Sequence, residues 1–130
     1  MSFQNYIIGG ELTKIIIVDD ELDFREMLNL MFQKEGFETE MAEDGADFLE
    51  KIDSFNPDLV TLDVMMPGLT TDEILEKLKE KKSNPNIILL TVVRYSGEER
   101  EKMLKTNNIV GYIKKPFELD DLIGSIKKHA

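Results

Sequence analysis

The stretch IIIVDDE, residues 15–21, places four apolar side chains directly before three carboxylates. An apolar run of this kind predicts a buried β-strand, and here its carboxyl end carries concentrated negative charge. Removing carboxylates from water and crowding them together both cost free energy, so these acids require a counter-charge. The stretch therefore predicts both a buried strand and a charged site where that strand ends.

Five apolar runs in all predict strands, and amphipathic stretches lie between them. The runs cover residues 14–18, 37–40, 59–62, 87–91 and 109–113. Apolar residues at positions i, i+3, i+4 and i+7 predict helices, most clearly over residues 24–32 and 119–126. The strands are continuously apolar, which indicates burial on both faces. A β-α order repeated five times therefore predicts an α/β fold, with a doubly wound parallel sheet of five strands and helices on both faces.

Local signals predict where several helices begin and end. Thr70 and Ser96 are each followed three residues later by glutamate, which predicts capping boxes at the third and fourth helices. Gly36 predicts the C-terminal cap of the first helix. The segment 95–108 offers few core-facing residues, chiefly Met103 and Leu104, so we expect it to be the most mobile helix.

Two regions divide the chain. Residues 14–130 form one predicted domain, and residues 1–13 form an N-terminal extension of undetermined structure, either a short helix, a linker or residues foreign to the domain. The sequence leaves open whether the domain stands alone or is part of a longer protein.

Composition argues against several classes of function. The 130 residues include 26 acidic and 16 basic side chains, and the net charge of -10 disfavours direct binding to nucleic acid. The sequence contains no cysteine, so it has no disulfides and no thiolate metal site. No apolar run approaches the roughly 18 residues of a membrane span, and no secretory signal is present. We therefore expect a cytoplasmic protein without membrane contact.

The residues able to do chemistry follow the predicted strands. Asp19 and Asp20 follow the first strand, Asp63 the third, Thr91 the fourth and Lys115 the fifth. Parallel sheets bind ligands beyond these carboxyl ends, so we expect the five side chains to lie together. Two charges ~4 Å apart repel by roughly 4 kcal/mol at an effective dielectric of about 20, so the acids require a cation. Oxygen ligands favour Mg²⁺, with Mn²⁺ or Ca²⁺ as alternatives.

A carboxylate in such a site can act as a nucleophile and become an aspartyl-phosphate. Phosphoryl transfer depends mainly on positioning and on neutralisation of charge. Asp63 is the predicted acceptor. The metal ion, Lys115 and the hydroxyl of Thr91 would neutralise and hydrogen-bond the phosphoryl oxygens.

Four motifs together resemble one known family. They are IIIVDDE (15–21), LVTLDVMMPG (59–68), ILLT (88–91) and GYIKKPF (111–117), and they match the receiver domains of two-component response regulators in order and spacing. The resemblance covers about residues 14 to 130. It implies a flavodoxin-like sheet with the strand order 2-1-3-4-5, as in the chemotaxis member of the family.

The resemblance implies a role for each matching residue. Asp19 and Asp20 match the acidic pair that holds Mg²⁺, and the backbone carbonyl of Met65 matches a further metal ligand. Asp63 matches the phosphoacceptor, which is itself a metal ligand. Thr91 matches the hydroxyl that senses the phosphoryl group.

The last strand supplies the remaining matches. Lys115 matches the lysine that binds the phosphoryl group, whereas Lys114 does not, and strand alternation places the two on opposite faces. Tyr112 matches the aromatic residue that turns inward when Thr91 moves. The family often has a cis bond before the proline that corresponds to Pro116.

The resemblance also implies partners. A histidine kinase or phosphotransfer protein would donate the phosphoryl group, and a downstream effector protein or domain would recognise the altered face of the fourth helix, fifth strand and fifth helix. Phosphorylation-dependent dimerisation is a further assembly that the family allows. The chain would be a phosphoacceptor that assembles its own transfer site, and it would be no turnover enzyme.

Several positions depart from the family pattern. Val92 stands where a small residue is usual, and we expect it to narrow access to Asp63. Val93 and Met65 stand where the family tunes dephosphorylation, and both are apolar. We therefore expect a long-lived phosphorylated form. In the loop after the third strand, Thr70 and Thr71 replace a common Asp-Gly pair. The resemblance therefore does not predict the conformation of that turn.

Three other functions are consistent with parts of the pattern. The intact set of acidic residues argues against a phosphorylation-independent scaffold, because such a scaffold would not need these residues. A magnesium-dependent phosphohydrolase of the haloacid-dehalogenase type has a second acid two residues after its nucleophile, where this chain has Met65. A flavodoxin-like flavin binder needs hydroxyls and backbone donors after the first strand, where this chain has Asp19 and Asp20.

Overall fold

The computed structural model describes residues 7–8, 11–105 and 108–130, and its main sheet has five parallel strands. The strands are β1 (Lys14–Val18), β2 (Glu38–Ala42), β3 (Leu59–Asp63), β4 (Asn86–Thr91) and β5 (Ile109–Lys114). The helices are α1 (Leu22–Lys34), α2 (Gly45–Phe55), α3 (Thr71–Leu78), α4 (Gly97–Leu104) and α5 (Leu119–His129). The order across the sheet is β2-β1-β3-β4-β5. This confirms the doubly wound fold and the order 2-1-3-4-5.

The strand β1 shows why the sheet is buried on both faces. Ile15 and Ile17 pack with α1 and α5, whereas Ile16 and Val18 pack with α2 and α3 on the other side. All four side chains are buried. Alternation along the strand sends successive residues to opposite faces, so a continuous apolar run supplies two cores at once.

The predicted helix boundaries are confirmed. The side chains of Thr70 and Ser96 each accept the backbone N–H of the glutamate three residues later. Each glutamate side chain in turn accepts the backbone N–H of its Thr or Ser. Gly36 has φ 93°, and the N–H of Phe37 donates to the carbonyl of Phe32, as in a Schellman cap. Helix α4 contains no buried residue, which confirms its weak packing, and its mobility stays a prediction.

One local expectation requires correction. The second strand begins at Glu38 and ends at Ala42, later than the predicted 37–40, because Phe37 belongs to the cap of α1. In the N-terminal extension, whose structure the sequence left open, Ile7–Ile8 pairs antiparallel with Glu11–Leu12 and forms a short two-stranded ribbon. Residues 1–6 and 9–10 of that extension lie outside the described residues.

Candidate functional site

The backbone at the carboxyl ends of the strands fixes the site residues. The N–H of Asp19 donates to the carbonyl of Ala42 at 3.1 Å, which continues the pairing of β1 with β2. The N–H of Lys115 donates to the carbonyl of Thr91 at 2.7 Å, which continues the pairing of β5 with β4. Asp63 is the last residue of β3. The site residues are therefore held by the hydrogen bonds of the sheet.

Three carboxylates meet at this edge of the sheet. One carboxylate oxygen from each of Asp19, Asp20 and Asp63 lies within 4.8 Å of the others. Asp19 is 1% exposed and Asp63 is 6% exposed, whereas Asp20 faces solvent. The Nζ atom of Lys115 lies 3.1 Å from Oδ2 of Asp19 and 3.7 Å from Oδ2 of Asp63. The ammonium of Lys115 thus contacts two of the three carboxylates.

This donor set fits a divalent cation. The three carboxylates exceed the charge of Lys115 by two, and hard oxygen ligands of this kind suit Mg²⁺. The open side at Asp20 would leave room for water and phosphate oxygens, which Mg²⁺ typically retains. The cluster is therefore able to bind a metal ion.

Backbone hydrogen bonds orient the two buried acids in the same way. Oδ1 of Asp19 accepts the N–H of Glu21 at 2.9 Å, and Oδ1 of Asp63 accepts the N–H of Met65 at 3.1 Å. Each acid thus closes a local turn with one oxygen. The other oxygen, Oδ2, is the one presented to Lys115.

Electrostatics make Asp63 harder to ionise. Burial raises the pKa of Asp63 above its ordinary value. The backbone N–H of Met65 and the charge of Lys115 oppose this rise, whereas the charges of Asp19 and Asp20 add to it. Added positive charge beside Asp63 would favour the ionised, nucleophilic form.

Two contacts at the site were missed by the sequence analysis, which assigned Phe24 only to a core-facing stripe. Its ring lies under Lys115, with Nζ 4.1 Å from the ring centroid, and it packs edge-to-face with Phe117 at 6.1 Å. The guanidinium of Arg25 donates to the carbonyl of Asp19 at 2.7 Å. The first turn of α1 therefore holds both members of the Lys115–Asp19 pair. The only sequence signal for these two contacts is that the first turn of α1 directly follows the acidic triplet 19–21.

Thr91 and Tyr112 are linked through the backbone of one residue. Thr91 is fully buried, and its Oγ1 accepts the N–H of Val93 at 3.0 Å. The carbonyl of Val93 accepts a hydrogen bond from the hydroxyl of Tyr112. Hydrogen bonds through Val93 therefore connect Thr91, at the end of β4, with the side chain of Tyr112 in β5.

The apolar residues predicted to limit access lie near the site opening. Val92 is 60% exposed and lines a cavity of about 540 Å³ together with Lys115 and Phe24. Met65 is 59% exposed, and Val93 is half-buried. Lys114 lines separate cavities, away from the acids. The effect of these side chains on access stays a prediction.

The peptide bond between Lys115 and Pro116 is cis, as the resemblance implies.

None of the helices in the described ranges combines the length and apolar character that a bilayer span requires. The cytoplasmic location stays a prediction.

Comparisons with known proteins agree with this geometry. A family model, the response regulator receiver domain, matches residues 15–127. Sporulation initiation phosphotransferase F of Bacillus subtilis is 34% identical over 116 residues, which are 89% of this chain and 92% of that protein. The structure resembles chemotaxis protein CheY4 of Vibrio cholerae, with a TM-score of 0.78, 28% identity, and coverage of 91% of this chain and 98% of that one.

The response regulator TrrA of Thermotoga maritima is also similar. Its structure in complex with Mg²⁺-BeF has a TM-score of 0.75 and 37% identity, and the match covers 92% of this chain and 100% of that one. TrrA has also been solved in complex with the histidine kinase ThkA. With the family model spanning most of its length, the chain belongs to the receiver domains of two-component response regulators, which are phosphoacceptor modules.

Proposed function

We propose that Asp63 accepts a phosphoryl group from a phosphohistidine of a histidine kinase or phosphotransfer protein. Asp19, Asp20, Asp63 and the backbone carbonyl of Met65 would hold Mg²⁺, or alternatively Mn²⁺. The observation that carries this proposal is the convergence of three carboxylates within 4.8 Å beside the ammonium of Lys115. The kinase complex of TrrA supports the class of donor.

The chemistry requires one bond to form as another breaks. A carboxylate oxygen of Asp63 attacks phosphorus and the P–N bond breaks. The donor imidazole, protonated on its other ring nitrogen, leaves with the bonding electron pair and is thereby the neutral ring. The product is an acyl phosphate on Asp63. Bound magnesium would supply positive charge next to the acids and the phosphoryl oxygens. Lys115 would pair with one phosphoryl oxygen, and the hydroxyl of Thr91 would donate to another.

The phosphoryl group would then change the state of the domain through Thr91. If its hydroxyl turns to the phosphoryl group, the bond from the N–H of Val93 is lost. The Val93 carbonyl holds the hydroxyl of Tyr112, so the tyrosine would shift with this loop. The face of α4, β5 and α5 would change and recruit an effector protein or domain, or a second copy of the chain. Phosphorylation must favour that state by a few kcal/mol, and a shift of the population from 1:99 to 99:1 requires about 5.5 kcal/mol.

We further propose that the chain is an acceptor and no turnover enzyme. A phosphohydrolase of the haloacid-dehalogenase type would need an acid at position 65, and Met65 cannot protonate a leaving group. Hydrolysis of a generic phosphatase substrate, abolished by Asp63→Asn, would contradict this.

The alternative function is a phosphorylation-independent scaffold. Such a scaffold would bind its effector equally well with and without a phosphoryl group, so a comparison of the two forms distinguishes it from a switch.

The proposal is tested by incubation with acetyl phosphate and Mg²⁺, followed by intact-protein mass measurement. The wild-type chain should gain one phosphoryl group, and Asp63→Asn should gain none. The control Asp120→Asn removes an exposed acid of α5 and should behave as wild type. EDTA should prevent the gain. An unmodified wild-type chain, or equal modification of Asp63→Asn, would refute the assignment of Asp63.

A further inference from the structure

The carboxylate of Asp19 has two competing partners. In the structure its Oδ2 faces the ammonium of Lys115 at 3.1 Å, while its Oδ1 accepts the N–H of Glu21. The proposed function assigns the same side chain to Mg²⁺. A divalent cation at this carboxylate would weaken its attraction for Lys115 and would repel the ammonium directly. Lys115 therefore needs a further partner if it is to stay beside Asp63 once the metal site is filled.

The ring of Phe24 is a partner that a metal ion cannot take away. The Nζ atom of Lys115 lies 4.1 Å from the centroid of this ring, well inside the roughly 6 Å over which the negative face of an aromatic ring attracts a cation. The side chain of Lys115 is 17% exposed, and a cation–π contact is stronger where water is excluded. A phenyl ring has no charge and no ligand atom for Mg²⁺. Its attraction for the ammonium therefore persists when the carboxylates bind a cation.

Contacts with two other parts of the fold hold that ring in place. Phe24 lies in the first turn of α1, and its neighbour Arg25 ties this turn to the carbonyl of Asp19 with a hydrogen bond of 2.7 Å. Phe117, in the loop after β5, meets the ring edge-to-face with an interplanar angle of 71°. Both rings pack against the buried core on the side of the sheet that α1 and α5 cover. The ring is thus fixed by its own surroundings, as a group that positions another must be.

We propose that Phe24 is a positioning residue of the phosphoryl-transfer site, and that its ring retains the ammonium of Lys115 beside Asp63 while a divalent cation is bound. The proposal rests on the proposed function for the presence of that cation. The alternative is that Phe24 only fills the core. Core filling depends on the size and shape of the ring, whereas attraction of a cation depends on the electron density of its face. The two roles therefore respond differently when the electron density alone is changed.

Nuclear magnetic resonance of the Lys115 side chain tests the placement without any measurement of activity. Protons above an aromatic ring resonate upfield, and the Cε protons of Lys115 are identified by their absence in Lys115→Met. They should lie upfield of those of exposed lysines in EDTA, and stay there in MgCl₂ at a concentration that saturates the amide shift of Asp20. Phe24→Leu should abolish the upfield shift. Movement of the wild-type signals to the positions of exposed lysines in MgCl₂ would overturn the proposal.

A second experiment changes the electron density of the ring and nearly keeps its size. Phe24 is replaced by a monofluorinated and then by a trifluorinated phenylalanine, which withdraw electron density from the ring face in steps. The rate of phosphorylation by acetyl phosphate in saturating MgCl₂ should fall in the same steps, by about two- to fivefold in total, the factor expected for the loss of one cation–π contact. The same analogues at Phe32 are the matched control. That ring lies in the same helix and core, is fully buried and packs with Phe37, so the rate should not change.

The outcomes separate the role of Phe24 from that of the acceptor. Equal slowing by the analogues at Phe24 and at Phe32, or a rate that fluorination of Phe24 leaves unchanged, would overturn the positioning role alone. In both cases the phosphoryl gain of the wild-type chain would still support Asp63 as the acceptor. A wild-type chain that gains no phosphoryl group would refute the proposed function, and the Lys115 resonances in MgCl₂ would still decide whether the ring retains the ammonium.

Discussion

Replacing Lys115 with methionine would remove one charge from the acidic cluster while keeping a similar apolar stem. The Nζ atom lies 3.1 Å from Oδ2 of Asp19 and 3.7 Å from Oδ2 of Asp63, and both acids are buried. Unit charges at these separations attract by about 4 to 5 kcal/mol each at an effective dielectric of about 20. We therefore expect Lys115→Met to lower the free energy of unfolding in metal-free buffer.

The net loss is smaller than this attraction. The variant no longer removes an ammonium from water, and one carboxyl can take up a proton. Breaking a buried ion pair by deleting one partner typically costs about 3 to 5 kcal/mol. The lost contact of Lys115 with the ring of Phe24 adds about 0.5 to 1 kcal/mol. We expect a loss of about 4 kcal/mol, toward the low end of the combined range, and this is a large share of the roughly 5 to 15 kcal/mol that stabilises a typical domain.

Urea unfolding in EDTA and in MgCl₂ measures this loss. Lys114→Met is the matched control, because Lys114 lies away from the acids, and it should change the free energy of unfolding by less than about 0.5 kcal/mol. Magnesium should reduce the deficit of Lys115→Met, because a ligand that binds the folded state stabilises it and here replaces the missing charge. Equal stability of the two variants in EDTA would refute the argument that Lys115 balances the cluster.

Three further predictions address hydrolysis, packing and pH. Val92→Ala or Val93→Glu should shorten the half-life of the phosphorylated chain about tenfold or more, which is below the roughly 100-fold that a positioned acid–base group contributes, as followed by loss of the phosphoryl mass; a wild-type half-life of seconds that neither variant changes would contradict this. Gly45→Ala should cost about 1 to 3 kcal/mol in thermal unfolding, since its Cβ would lie 2.5 Å from a core isoleucine of α3. Gly124→Ala has open space and should stabilise α5 by about 0.5 to 1 kcal/mol; destabilisation of both variants alike would argue against the clash. The pKa of Glu99 lies below its ordinary value of 4.5, chiefly because a backbone N–H binds the carboxylate. The stability that this bond gives α4 is therefore present above pH 4.5 and lost as the pH falls through the lowered pKa; NMR titration of the carboxyl carbon should show this, and an unshifted midpoint would contradict it.

The fold followed from patterns whose physical cause is local. Continuous apolar runs predicted strands buried on both faces, and the two capping boxes placed the starts of α3 and α4 because both halves of each box are side chains visible in the sequence. The start of β2 was placed early, since Phe37 is apolar like a strand residue but serves the cap of α1. An apolar side chain at an element boundary can pack with either neighbour, and only the assembled core decides which.

The acidic cluster was also predictable, because the carboxyl ends of parallel strands meet at one edge. The contact of Phe24 with Lys115 was not, since a helical stripe of apolar residues predicts core packing and says nothing of a cation above one ring. The link between Thr91 and Tyr112 also escaped the sequence, because it runs through backbone atoms of Val93 that every residue type carries. Side-chain chemistry at strand ends is visible in a sequence, whereas backbone relays between strands are not.

The weak packing of α4 is consistent with this relay. Thr91 is fully buried, and through Val93 it holds the hydroxyl of Tyr112, whose ring in turn lies beside Arg100 of α4. A displacement at the end of β4 therefore reaches α4 through directional bonds and one stacked ring. Helix α4 has no fully buried side chain, so little apolar surface opposes its movement. Elements that move in a switch are expected at the low-stability end of a structure, and α4 is the helix of this domain that meets this condition.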